Sequence, residues 1–259
     1  RGIKALGYIV DNEKCVKVGS VAQALRDSGC KFCTACVEVC PTGALLDKEL
    51  KGVSREAFLV PCKANCPAGI DVPRYVQLAG ENRPADAFAV VREKVPFPAV
   101  LGRICFHPSE TACRRGQVNE PISICSLKRF AADYDDSRWK SRIVKNPETG
   151  KKIAVIGSGP AGLTAAYYLA KKGHKPVIYE SQPEPGGMMR YGIPEYRLPL
   201  QALQNEIKEI QNAGVEIKTG ITIGKNIQLA ELKEQHDAVL AATGCQQSRR
   251  LKIEGAGLQ

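Results

Sequence analysis

Cys30, Cys33, Cys36 and Cys40 stand at C-x2-C-x2-C-x3-C spacing and are closed by Pro41. Soft thiolates in this pattern are the ligands of a low-potential iron–sulfur cluster. The short loop turns three sulfurs toward one cube, and Cys40 opens away on a helical turn. In such runs the fourth cysteine ligates the other cluster of a two-cluster domain. The chemistry on offer is electron transfer, and the run asks for a second set of thiolates. Cys15 is the only cysteine upstream. Its strand-like surroundings, Cys15-Val-Lys-Val18, favour a packed thiol over a fourth ligand. The remaining ligands of the Cys40 cluster are then expected before Arg1.

A second constellation is Gly157-Ser158-Gly159-Pro160-Ala161-Gly162, placed between an apolar β run and a helical pattern. That context makes G-x-G-x-x-G a dinucleotide-binding fingerprint. Gly157 permits the tight turn, Gly159 lets backbone N–H groups reach a pyrophosphate, and Gly162 allows close helix–strand packing. Glu180 ends the next strand, where an acid accepts hydrogen bonds from ribose hydroxyls and repels the 2′-phosphate of NADP. Gly186-Gly187, the turn-rich stretch Tyr191–Pro199 and Thr243-Gly244 follow. Periodicity does not separate FAD from NAD in this pocket.

These residues need elements to carry them, and 259 residues suffice for a sizeable core. Nine of the eleven cysteines fall between Cys30 and Cys125. In a chain of this length that clustering fits metal ligation in a reducing cytosol, so a cytoplasmic protein is expected. No stretch approaches the ~20 apolar residues of a membrane span. The net charge of +10 is offset by clusters and a pyrophosphate at about −2 each. Aromatics are only 6% of the chain, with no basic stripe interleaved with stacking residues, so nucleic acid is not the expected partner.

The chain divides by pattern into a ferredoxin-like segment (1–50), a helical iron–sulfur region (51–135), a polar linker (136–150) and an α/β region (151–259). A short helix is predicted near Val21–Asp27. Helices are also predicted over Val72–Gly80 and Pro84–Lys94. Strands are predicted at Ile153–Ile156, Pro176–Tyr179, Val215–Lys218 and Ala238–Ala242. Between them lie a helix over Ala161–Lys172 and another on which Leu200, Leu203, Ile207 and Ile210 step. Alternation of strand and helix is the grammar of a parallel sheet.

Glu180, Gly186-Gly187, Tyr191–Pro199 and Ala242-Thr243-Gly244 resemble the FAD half of the glutamate synthase small-subunit flavoprotein family, a module shared with dihydropyrimidine dehydrogenase. The resemblance extends back through Cys66-Pro-Ala-Gly-Ile, Gly102-Arg-Ile-Cys105, Cys113-Arg-Arg-Gly116, Glu120-Pro-Ile-Ser123 and Arg129-Phe-Ala-Ala132, covering about 200 residues. It implies a partial Rossmann-like FAD-binding domain after a helical iron–sulfur domain. Gly157, Ser158, Gly159, Pro160, Ala161, Gly162, Glu180, Gly186, Gly187, Arg197, Thr243 and Gly244 would then hold FAD. The chain also departs from that pattern. Ser54–Pro61 lacks the family's C-x-x-C pair, and Ser109 stands where a further cysteine is expected. The family's two clusters therefore cannot both be intact. Cys66, Cys105 and Cys113, with Cys62 or Cys125 in fourth place, suffice for one 4Fe–4S cluster. The bland alternative is a set of packed thiols.

Residues 1–47 resemble the two-cluster ferredoxin segment of iron-only hydrogenases and of the large iron–sulfur subunit of respiratory complex I. Together the resemblances imply an electron-transfer subunit of a hetero-oligomeric oxidoreductase, with other redox subunits and possible ferredoxin as partners. NAD(P)H would bind on a further domain or a partner. A bifurcating transhydrogenase, hydrogenase or formate dehydrogenase assembly fits. The alternatives are the glutamate synthase small subunit itself and a structural subunit without cofactor. His107, His174 and His236 have no partner at catalytic spacing, and no side-chain acid or nucleophile is called for.

Overall fold

The computed structural model describes residues 5–10, 16–30, 35–38, 60–142 and 145–245. The chain forms two compact units, residues 1–61 and 62–259.

In the first unit, β1 (Leu6–Val10) and β2 (Val16–Ser20) pair antiparallel, with Tyr8 opposite Val18 and Val10 opposite Val16. The helix predicted near Val21–Asp27 is instead a run of bends followed by a 3-10 turn, Leu25–Ser28. The Ser28 hydroxyl donates to Leu25 O at 2.5 Å, and Gly29 at φ 74° ends the turn. A left-handed glycine this early stops a helix before its nucleation cost is offset. Cys36 sits on the one-turn α1 (Ala35–Glu38).

Six α-helices open the second unit, and all but the last carry a proline in the first turn, where its fixed φ and missing N–H fit. They are α2 (Pro61–Ala64), α3 (Val72–Gly80), α4 (Pro84–Arg92), α5 (Pro98–Ile104), α6 (Pro108–Thr111) and α7 (Ile124–Asp133). Asp71 caps α3 by accepting from Arg74 N at 3.4 Å. Ile70, Val72, Tyr75, Phe88, Val91, Ile124 and Ala131 form their common core. The expected polar linker carries more structure than its composition suggests. A 3-10 turn, Arg138–Arg142, drives Trp139 into that core, edge-on to Phe88 at 6.3 Å and 4.1 Å from the buried Arg92 guanidinium. Burying the chain's one tryptophan outweighs the polarity of its neighbours.

The α/β part has strands β3 (Lys152–Ile156), β4 (Lys175–Tyr179), β5 (Glu216–Lys218) and β6 (Ala238–Ala241), in the all-parallel order β5-β4-β3-β6. Helix α8 (Pro160–Lys171) crosses from β3 to β4; α9 (Met188–Tyr191) and α10 (Leu200–Asn212) follow, and α11 (Leu229–Gln235) leads into β6. Because β6 joins on the opposite side of β3 from β4, the strand order reverses there. Ligands of open α/β sheets bind at that crevice. Phe97 and Val100 from the helical half share one core with Val155, Leu163, Ile178, Leu203 and Ile207. The two halves are thus packed on each other.

Candidate functional site

The β3–α8 loop has the geometry its glycines imply. Gly157 is at φ 102°, and a Cβ there would lie 2.5 Å from Ala242 O. A Cβ on Gly162 would lie 2.0 Å from Gly157 O, so turn and helix touch backbone to backbone. Gly159 differs: a Cβ there meets nothing within 4 Å and would project into open space. Glu180, at the end of β4, is buried with both oxygens engaged. Oε2 accepts from Ser158 N at 2.8 Å and Ser158 Oγ at 2.5 Å; Oε1 accepts from Gln182 N at 2.8 Å and Ser181 Oγ at 3.2 Å. Burial pushes this carboxyl up, but those hydrogen bonds outweigh it and hold the group below its ordinary value. Ser158 Oγ also accepts from Gly186 N at 3.1 Å. One serine therefore ties the β3–α8 loop to both ends of the β4–α9 loop.

These loops enclose a cavity of about 830 Å3. Gly157, Gly159, Pro160, Ala161, Glu180, Gly187, Thr243 and Gly244 line it, as do Tyr191, Thr222 and Cys245. Ser158 and Gly186 stand behind the lining and position Glu180, and Gly162 closes the turn beneath. Arg197 lies in an exposed turn, its N–H donating to Pro194 O, and lines neither this cavity nor the next. The open volume over Gly159 and the uncovered start of α8 suit a pyrophosphate, and the fixed carboxylate suits a ribose.

A second cavity, of about 600 Å3 and almost wholly apolar, shares Pro160 and Met188 with the first. Thr164 and Ile193 form one wall, and Phe97, Val100, Leu101 and Ile104 from α4–α5 form the other. No sequence signal pointed to it, because its walls come from segments that only tertiary packing brings together.

Cys105 follows directly on α5 and accepts at Sγ from His107 N at 3.3 Å. His107 is left-handed, φ 48°, and its Nδ1 lies 3.2 Å from Glu110 Oε2. Cys125, in the first turn of α7, donates its N–H to Glu110 Oε1 at 2.7 Å. A Cβ on Gly102 would lie 2.8 Å from Arg129 Cα, and this close approach of α5 and α7 brings Cys105 to Cys125. The hydrogen bond between the two thiols drives Cys105 down to about 5 and Cys125 up. Burial pushes Cys62 up, with Cys113 as its thiol neighbour. Tyr75, whose hydroxyl donates to Ile124 O at 3.1 Å, is pushed up by burial and then by Cys125, Cys66, Cys105 and Cys62. All five thiols are half-buried and none is in a disulfide. Among the described residues, no three His, Cys, Asp or Glu close on a single metal ion. Iron–sulfur clusters are held by Cys thiolates, the donor type these five residues supply. Ser109 is buried in α6. Cys30 and Cys36 are half-buried; Cys15, Cys33 and Cys40 lie outside the described residues.

Residues 56–139 match the family profile for dihydropyrimidine dehydrogenase domain II, 4Fe–4S cluster. Residues 27–46 match a 4Fe–4S binding domain, and 155–202 an NAD(P)-binding Rossmann-like domain. The chain is thus a set of iron–sulfur domains joined to a Rossmann-type nucleotide domain. Among curated relatives, the NADPH-Fe(3+) oxidoreductase subunit beta of Geobacter sulfurreducens is 42% identical over 77% of this chain and 30% of its own length. The NADP(+)-dependent formate dehydrogenase subunit beta of Moorella thermoacetica is 38% identical over 82% of this chain and 33% of its own. The PreT homolog of Salmonella typhi, named as an NAD-dependent dihydropyrimidine dehydrogenase subunit, is 37% identical over 71% and 45% respectively. The chain therefore spans about a third of the first two and under half of the third. No helix among the described residues is long and apolar enough to cross a membrane.

Proposed function

We propose that this chain is an electron-transfer subunit of a larger oxidoreductase, carrying electrons between a nicotinamide donor, FAD and 4Fe–4S centres. The observation that carries the reading is the pair of joined cavities. The polar one presents Glu180 and the start of α8 to an adenosine and pyrophosphate. The apolar one is closed by Leu101 and Ile104, adjoining Cys105. A dinucleotide with a large flat apolar end suits the two together, that end lying against Leu101 and Ile104. Bound flavin supplies the conversion between hydride and single electrons, which clusters carry onward. The protein's own residues bind and orient. Ser158 fixes Glu180, Gly157 and Gly162 set the turn, and the apolar walls exclude water.

Cys66, Cys105, Cys113 and Cys125 are the assigned ligands of the middle centre. Cys125 is preferred to Cys62 because Cys105 and Cys125 meet where Gly102 lets α5 and α7 approach. Cys30, Cys33, Cys36 and Cys40 serve the exit centre. With FAD in this pocket, the nicotinamide binds on a further domain or a partner; Glu180 opposes a 2′-phosphate here. The subunit names of the relatives support redox partners, and the formate dehydrogenase name supports an assembly of that type. The test is flavin, iron and labile sulfide per chain in anaerobically purified protein. One FAD and about four irons per cluster are expected. Protein without flavin that binds NAD(H) in its place would overturn the assignment.

A further inference from the structure

Lys128 occupies a core position. It lies on the buried face of α7, between Ile124 four residues before and Ala131 three residues after, and is 6% exposed. Helical periodicity asks for an apolar residue there. An interior ammonium is costly unless an anion answers it. The acids nearest to it along α7 and at Cys125 have partners of their own. Glu110 takes Cys125 N and His107 Nδ1, and Asp133 takes Arg103 and Arg129. No carboxylate pairs with Lys128 among the described residues. Cys125 stands one turn before Lys128 on α7, at i and i+3, and Cys105 meets Cys125 where Gly102 lets α5 approach, so the ammonium's charge reaches both thiols and favours their ionised forms.

We propose that Lys128 is the interior counter-charge of the iron–sulfur centre at Cys105 and Cys125, and that it raises that centre's reduction potential. The inference rests on the reading above that these thiols hold a cluster. Reduction adds one electron and no bond forms or breaks, so the centre gains one negative charge. A fixed positive charge in a site of low polarity stabilises the reduced form more than the oxidised form. The centre beside the apolar cavity is thereby made the better acceptor for an electron leaving a flavin there.

The test uses Lys128→Met, which keeps the shape and removes the charge, and Lys128→Arg, which keeps the charge. Iron and sulfide per chain are measured, and midpoint potentials are read by EPR-monitored redox titration. Full iron is expected in both. The potential of the middle centre should fall in K128M by at least a tenfold change in the oxidised-to-reduced ratio, about 59 mV for one electron. K128R should stay near the unsubstituted protein, and the Cys30 centre should not move. Loss of iron in K128M with retention in K128R also supports the counter-charge. An unmoved potential at full iron, equal shifts in both variants, or loss of iron from both would overturn it. Unsubstituted protein with no iron at this site would instead refute the parent assignment.

Discussion

Glu206 offers the sharpest stability test. It lies on α10, is 5% exposed, and reaches across to the helical half. Oε1 accepts from Ala99 N at 2.7 Å and Oε2 from Val100 N at 3.1 Å, the open first turn of α5. Burial raises its pKa to about 7 from an ordinary 4.5, against the pull of Ala99 N–H, Arg92, Val100 N–H and Arg103. The folded state therefore binds this proton more tightly than the unfolded state. Its stabilisation is complete below pH 4.5 and is lost as pH rises through about 7. At 1.36 kcal/mol per pH unit, the loss sums to about 3 kcal/mol. Glu206→Gln removes this titration. At pH 5 the two proteins should agree within about 1 kcal/mol, the worth of one hydrogen bond. By pH 8 the variant should be the more stable by about 2–3 kcal/mol. Denaturant midpoints from pH 5 to 8, followed by the fluorescence of the buried Trp139, give the comparison directly. Titrations common to both proteins cancel in the difference. Parallel curves across that range would refute the reasoning.

Gly159→Ala and Gly162→Ala should separate binding from folding. The first places its methyl in open space over the loop, so stability should hold within about 0.5 kcal/mol while flavin retention falls. The second drives a methyl to 2.0 Å from Gly157 O and should cost about 1–3 kcal/mol or more; thermal melts and released flavin read both. Cys125→Ser should lose the iron of the middle centre, whereas Cys62→Ser should keep it. The reverse result would move the fourth ligand to Cys62.

The α/β half was legible from sequence because its signals are local. Apolar runs, a glycine loop and a 3.6-residue stripe each lie within one element, and the strands and helices form where they predict. The helical half was legible in its elements but not in its contacts. Nothing local marks Glu206 as the partner of a helix 106 residues away, or Gly102 as the point where α5 meets α7. Lys128 was passed over for the same reason: read singly, a lysine in a helix is a surface residue. Trp139 misled in the opposite direction, because its polar neighbours masked one large anchor. Local turn chemistry also overrode a helical pattern at Val21–Asp27, where Gly29 takes a left-handed φ.

Helix α5 explains why the two sites are not independent. Its first turn is held by Glu206 from the α/β half, its middle is pressed on α7 through Gly102, and its end carries Cys105. Between those points Val100, Leu101 and Ile104 wall the apolar cavity. A shift of the helix along its axis would therefore move the cavity wall and the Cys105 thiol together. Electron transfer between a group in that cavity and a centre at Cys105 needs a fixed separation. A seven-residue helix held at its first turn and crowded in the middle supplies that constraint. The buried carboxylate thus does more than cap a helix: it ties the position of the Cys105 thiol to the Rossmann-like half.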